Sequence, residues 1–322
     1  MRNFLVPGFE LSGQQNLENQ GGVIGPNNDP VINDLITAFN SPGTFNRTAT
    51  TATVLVISGG GGAANRGGAG GAGGTIIQTS HPLPASGVPV TVGAGGSGTG
   101  PNSNSHNPGA NSAFGAASPI STTGGGKGGV RPWPPGQNTN PNGPGKPGGS
   151  GGGGGRGFQN TPAPNNGPGP GIPGQGNPGG AGDPDPGATA GGGGGQSQAG
   201  SGGSGGPAKG GDGLNITSYF PSSYGVLEPD GNYWVGAGGS GDSPSGGSGQ
   251  SKGGGGRGAA NPGGPGVDGS GGGAGTFYSN PGGAGGDGAV LVAEAGAGPS
   301  NSSGVWTLKA QYTAQTQGNW PS

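Results

Sequence analysis

The sequence predicts a mainly irregular and β protein: a bundle of short polyglycine type II helices capped by short β-strands, with a short C-terminal helix. Three observations carry that expectation. The 322 residues include 93 Gly and 33 Pro, with only 25% apolar and 7% charged side chains. Most of the chain therefore has too little Leu, Ile, Val and Phe for a conventional core. In Gly67-Gly68-Ala69-Gly70-Gly71-Ala72-Gly73-Gly74, two of every three positions are glycine. Period three belongs neither to the α-helix nor to the strand. It belongs to the extended left-handed helix with three residues per turn and about 3.1 Å of rise. Finally, the apolar residues gather in short runs, at Val54–Ile57, Ile76–Ile77, Val88–Val92, Tyr233–Val235 and Val290–Val292.

The elements follow in order. Residues 1–36 mix Phe4, Leu5, Val6, Phe9, Leu11 and Leu17 with Gln and Asn; such a segment either docks on a partner, the attachment reading, or folds back on its own domain. Ser41-Pro42-Gly43 is a turn signal between short strands at Thr37–Phe39 and Thr44–Phe45. Thr50–Ile57 is a strand of β-branched residues, and it feeds Gly59–Gly62 and the first glycine rod. The chain returns to strand at Gly74–Thr79 and again at Val88–Val92, where Pro89 argues for an edge position. Residues 37–98 thus hold the opening strands and first rods.

From 99 to about 298, glycine runs alternate with Pro/Asn-rich inserts at roughly 99–123, 130–147, 158–190, 214–235 and 276–281. A rod of eight residues spans about 25 Å. Rods joined by loops at both ends would make a compact brick. Gly282–Gly288 repeats the two-glycine triplet and leads into a closing strand, Ala289–Ala293, expected beside Val54–Ile57. In residues 299–322, Val305, Leu308 and Tyr312 share a helical face, with Gly318 and Pro321 as stop signals.

In such rods the glycine faces let neighbouring backbones approach until N–H and C=O groups bond between segments, because this helix has no internal hydrogen bonds. Gly68, Gly71 and Gly283 are therefore expected inside the bundle. Ala69, Ala72 and Asp287 are expected to face outward or a cap.

Composition also excludes. Low-complexity disorder normally brings high net charge, and here it is −2. Collagen needs glycine strictly every third residue, a register broken by Gly151–Gly155 and Gly191–Gly195. With no cysteine, disulfides and thiolate metal sites are impossible. The start, Met1–Gly8, has too short an apolar run for a signal peptide, and no stretch approaches the roughly 20 apolar residues of a membrane span. The 11 basic residues are scattered, so no nucleic-acid patch is evident.

Gly93–Gly98 fits a dinucleotide fingerprint, but Pro101, Asn102 and Pro108 follow where a helix is needed. Gly282–Val290 matches one calcium β-roll nonapeptide without the tandem copies that share ligands. His81, His106, Asp183 and Asp185 sit near proline, and no nucleophile is paired with a base. Neither an enzyme nor a cofactor is expected.

Three motifs together carry a resemblance. They are Phe39–Phe45 leading to Val54–Gly62, then Val90–Gly96, and the exit Gly285–Val292. In this order they resemble the glycine-rich domain of bacteriophage tail fibres and adhesins. Gly304-Val305-Trp306-Thr307-Leu308-Lys309-Ala310-Gln311-Tyr312, ending in Gly318–Pro321, resembles the C-terminal tag of marine cyanophage structural proteins. The resemblance covers roughly residues 37–321. It implies a virion protein of the tail or fibre whose polyglycine bundle presents loops to a host surface. The long Pro/Asn inserts depart from the shorter loops of the T-even adhesins, so receptor type is not carried over.

On this reading residues 4–17 join other virion proteins, and a homotrimer is one assembly the resemblance allows. The host partner would be a carbohydrate or an outer-membrane protein, with no nucleic acid and no membrane insertion. The receptor-binding candidates are loop aromatics and a neighbouring arginine: Arg131, Trp133, Tyr219, Phe220, Tyr224, Tyr233 and Trp234. Tyr and Trp give large contact area at low entropic cost. The same residues could instead lid the ends of the rods. Two other functions stay open: a head fibre or decoration protein without a receptor role, and a secreted glycine-rich surface protein. An ice binder would need a regular threonine array, which Ala69, Ala72, Thr75, Ala284 and Asp287 do not form.

Overall fold

The computed structural model describes residues 35–65, 67–98, 106–116, 119–130, 143–156, 166–183, 189–204, 206, 208–220, 224–242, 251–258, 263–277 and 281–294. These lie in one compact unit, Leu35–Glu294; a second unit joins Met1–Asp34 with Ala295–Ser322. The expected C-terminal helix and residues 1–34 of the attachment segment lie outside the described residues.

The regular structure is antiparallel β. A central sheet is built from β1 (Leu35–Phe39), β3 (Thr51–Ile57), β4 (Thr75–Pro82) and β11 (Ala289–Glu294) in the order β1-β11-β3-β4. The opening and closing strands are neighbours as expected, with Val54 opposite Val292 and Val56 opposite Val290. A second sheet has β2 (Gly43–Phe45), β5 (Val88–Thr91), β6 (Ser112–Phe114) and β7 (Ile120–Thr122) in the order β2-β5-β6-β7. A third has β8 (Leu214–Asn215), β9 (Val226–Leu227) and β10 (Tyr233–Val235) in the order β8-β10-β9.

The apolar run of β3 has no polar face because both of its faces are covered. Val54 and Val56, with Val290 and Val292, pack on Phe45, Val88, Val90, Phe114 and Ile120 of the second sheet. Leu55 and Ile57, with Leu291, pack on Ile216, Phe220 and Val235. Each such side chain contributes about 1.5–3 kcal/mol when fully buried. The Phe45 and Phe114 rings meet with centroids 5.8 Å apart. The carboxylate of Glu294, itself buried, accepts from the amides of Thr48 and Ala49, each at 2.6 Å, and from the Thr48 hydroxyl at 3.0 Å. Charge-assisted bonds of this kind are the stronger ones.

One strand reading is corrected: β5 is an interior strand, not an edge. Pro89 is tolerated because it lies opposite Gly115, just past the end of β6, and its carbonyl accepts from the Gly115 amide at 3.0 Å. The missing N–H therefore falls where the ladder stops. The strands flanking Ser41–Gly43 separate into different sheets, β1 pairing with β11 and β2 with β5.

The glycine runs carry neither helix nor strand. They leave the ends of the strands and bond to one another. The amides of Gly68, Gly71 and Gly74 donate to the carbonyls of Gly129, Gly126 and Thr123. Those of Ala69 and Ala72 donate to Gly191 and Gly194, and those of Gly70 and Gly73 to Ala274 and Gly271. In return, the carbonyls of residues 68, 71 and 74 accept from Ala64, Gly61 and Ser58, those of Ala69 and Ala72 from Gly153 and Ser150, and that of Gly70 from Gly239. These bonds run from 2.7 Å (Gly68 to Gly129) to 3.4 Å (Ala64 to Gly68). Segment 67–74 is thus surrounded by six others: 58–64, 123–129, 149–156, 189–195, 236–242 and 271–276. The donor's partner changes at each residue and returns at every third.

Glycine is required here for its missing Cβ rather than for unusual torsions. No glycine in 59–62 or 67–74 has a positive φ. A Cβ at Gly70 would fall on the carbonyl of Gly61, one at Gly73 on that of Ser58, and one at Gly71 on those of Ser150 and Gly151.

The expectation for the alanine face is half corrected. Asp287 is exposed and Gly68, Gly71 and Gly283 are buried, but Ala69 and Ala72 are fully buried. A segment surrounded on all sides has no outward face, and its methyl groups fill the interstices. The insert boundaries also change. Pro- and Asn-bearing stretches join the array, with Gly145 donating to Gly167, Lys146 to Lys127 and Gly179 to Gly169.

Candidate functional site

The residues that bound the two inserts holding the receptor-binding candidates, 130–147 and 214–235, lie at opposite ends of the array. At one end the strands run into glycine, and Ser58 and Gly74 pair beside the start of β4. There the Ser58 hydroxyl is 2.7 Å from that of Thr122 and accepts from the Ser112 amide at 2.8 Å, joining central and second sheets. At the other end Ala64 turns back onto Gly68, and Gly129 bonds both Gly68 and Gly153. Val130 and Gly143, which bound residues 131–142, are joined at that far end by a 3.0 Å bond. Arg131 and Trp133 lie outside the described residues, as do Phe4, Leu5, Val6, Phe9, Leu11 and Leu17.

The insert 214–235 is built at the sheet end. The amides of Tyr219 and Phe220 both donate to the carbonyl of Ile216 at 2.9 Å. This tight turn drives Phe220 inward until it is completely buried against Leu55 and Ile57. Tyr224 and Tyr233 are partly buried against the same cluster. Phe220 thus lids the core and has no surface to offer a ligand. β9 and β10 are joined by a turn in which Gly231 takes φ 77° and donates to Glu228 at 2.9 Å. A side chain would be strained at that torsion.

Alternation along β10 puts Val235 and Tyr233 toward the core and Trp234 on the opposite face. Trp234 there sits among charges. Its indole N–H points at the Asp230 carboxylate at 3.4 Å, and the Lys252 ammonium lies 5.0 Å from its ring centroid. Lys252 also bonds Asp230 at 2.7 Å. The hydrogen bond from Lys252 holds the Asp230 carboxyl down at about 2, aided by the Asn232 amide. The same bond raises the Lys252 ammonium above its ordinary value. Glu228 accepts from the Gly253 amide at 2.8 Å and Asp212 from the Lys252 amide at 2.9 Å, so backbone bonds position the cluster. Tyr219 and Leu227 are exposed beside this sheet, at 41% and 60%. The arrangement can bind by contact area and charge. Among the described residues no three His, Asp or Glu side chains are grouped to hold a metal ion.

Sequence reasoning found the aromatics but not their charged companions. Asp230 and Lys252 are 22 residues apart, and no local pattern links them.

A family model for a glycine-rich domain matches residues 38–294. Comparison with curated proteins returns no match.

Proposed function

The chain belongs to the glycine-rich domain family, and from that premise we propose that it is a phage virion structural protein, a tail fibre or adhesin that presents loops on a rigid polyglycine scaffold. The glycine segments are read as polyglycine type II rods. The support is the return of hydrogen-bond partners at every third residue, which matches a helix of three residues per turn.

One observation carries the functional reading, the polarity of the unit. β1 begins and β11 ends side by side, Leu35 opposite Glu294, at the edge of the central sheet away from the glycine array. The segments that precede and follow them therefore start from one pole. At the other pole lie Val130 and Gly143, which bound in sequence the stretch 131–142 that includes Trp133. A protein attached by one pole and read at the other needs this separation. The array between is buried backbone with few side chains for a protease to take, which suits an extracellular particle.

On this reading residues 1–34 join other virion proteins. The far pole meets a host carbohydrate or outer-membrane protein, with Trp133 and Arg131 as anchors of the kind enriched in interface hot spots. Tyr219, Tyr233 and Trp234 sit at the sheet end and take a secondary place. Trp133→Ala tests the proposal: particles carrying it should assemble normally and adsorb to host cells several-fold less well. Normal adsorption, together with density for the chain on the capsid rather than the tail tip, would favour a head fibre or decoration protein.

A further inference from the structure

A glycine array has a weakness that follows from its own period. Hydrogen-bond partners return every third residue, so sliding one rod by three residues rebuilds the same backbone bonds in a wrong register. Side chains normally forbid such slips. Gly151–Gly155 and Gly191–Gly195 have none, yet both lie against the central segment 67–74, through Gly153 to Ala69 and Ala69 to Gly191. At the sheet end, strands and the Ser58–Thr122 contact pin the register. At the far end no strand does, among the described residues.

The far ends of three rods are instead tied by charge. Arg156 closes segment 149–156 and Asp242 closes segment 236–242; their side chains are 3% and 0% exposed and stand 3.9 Å apart. The other carboxylate oxygen of Asp242 accepts from the amide of Ala190, at the head of segment 189–195, at 3.2 Å. The two other ion pairs among the described residues, Lys209–Asp212 and Lys252–Asp230, are partly exposed. We infer that the buried Arg156–Asp242 pair, with the Ala190 amide, is a register lock that selects one alignment of these three rods at the end of the array away from the sheets.

A one-turn slip displaces a rod by about 9 Å, three residues at 3.1 Å each. The pair, at 3.9 Å, can form in one register alone. Elsewhere it would leave a charge buried without its partner, which is strongly unfavourable. A buried ion pair adds little net stability over an apolar replacement, and specifying register is its best-attested use. In sequence, the locked ends of these rods adjoin residues 157–165, 184–188 and 243–250.

This inference rests on the polyglycine reading, so the test separates the two. Full-length protein labelled with nitrogen-15 is compared with the double variant Arg156→Met/Asp242→Asn. The Asn keeps an acceptor for the Ala190 amide while both charges are removed. The double variant should melt within a few degrees of the parent. Its far-end amides, Gly154, Gly191 and Gly241, should exchange at least tenfold faster and show a second set of resonances. Ser58, Gly74 and Gly236 at the sheet end should be unchanged. Arg156→Lys, which keeps the cation, should retain one set. A single set with unchanged far-end exchange overturns the lock, and so does equal acceleration at both ends, which marks a general loss of stability. If the double variant does not fold, the same two criteria apply to Asp242→Asn alone. Rapid exchange of Gly70, Gly71 and Gly73 in the parent would instead overturn the polyglycine reading.

Discussion

The amide of Gly71 donates to the carbonyl of Gly126 at 2.8 Å, and no atom can be added to Gly71 without striking the carbonyls of Ser150 and Gly151. The obstacle is backbone held in its own hydrogen bonds, so it cannot move aside. Gly71→Ala should destabilise the protein by roughly 1–3 kcal/mol or more, as overpacking does. Gly167 is the control, because a methyl carbon there would meet nothing within 4 Å and its φ is not positive. Gly167→Ala should be neutral or stabilise by about 0.4–1 kcal/mol through the unfolded chain. Denaturant melts of both variants make the comparison.

Ala72→Val should also be costly, at roughly 1–3 kcal/mol, because Ala72 is fully buried in the surrounded segment. Ala284, which holds the same third position of a triplet in the closing run, is exposed. Ala284→Val should fall within about 0.5 kcal/mol of the parent. Equal melting of the two variants would count against a central position for 67–74.

Phe220 and Tyr219 are adjacent and opposite in role. Phe220→Ala should cost about 3–5 kcal/mol, the usual range for truncating a buried aromatic. Tyr219→Ala, at an exposed position, should leave melting nearly unchanged. If the two variants melt alike, the lid assigned to Phe220 is wrong.

The Asp230–Lys252 pair gives a pH window with a definite sign. The folded carboxyl sits at about 2, below its ordinary 3.8. Its contribution is therefore fully present above about pH 4 and is lost as pH falls toward 2. Asp230→Asn should narrow its difference from the parent across that window, and salt should shrink the difference at neutral pH. His81 acts in the same direction at higher pH. Burial lowers its folded value below 6.5, so protonation opposes folding as pH drops through that region. Thermal melts from pH 2 to 8, with a carboxyl titration of Asp230 by NMR, check both.

Residues 1–30 should be dispensable for folding of the glycine-rich unit, whose first strand begins at Leu35 and whose last ends at Glu294. Deleting them should leave the melting transition in place and abolish incorporation into the particle. Normal incorporation would remove the attachment role.

Much of the β architecture was legible in the chain itself. Runs such as Val54–Ile57 and Ala289–Ala293 read as strands because β-branched residues between glycine blocks leave few alternatives, and their pairing was expected from the matching glycine motifs beside them. The period of three in 67–74 was likewise local information. β6, β7, β8 and β9 were not legible. Strands of two or three residues carry no periodicity and are strands only because neighbours pair with them. Pro89 misled for the same reason, since whether a missing N–H matters depends on where the adjacent strand ends.

By itself the sequence determined the materials: short β-branched strands, glycine triplets and the absence of a large apolar core. Tertiary structure alone decided which triplet would be central. Gly67–Gly74 and Gly282–Gly288 have nearly the same local pattern, yet Ala72 is buried and Ala284 exposed. A run of near-identical triplets holds no local mark of how many neighbours it will have. That number is set when the whole array assembles. The meeting of Arg156 with Asp242, and of Trp234 with Lys252, depends on the same assembly, because those residues are distant in the chain and near only once the array has formed.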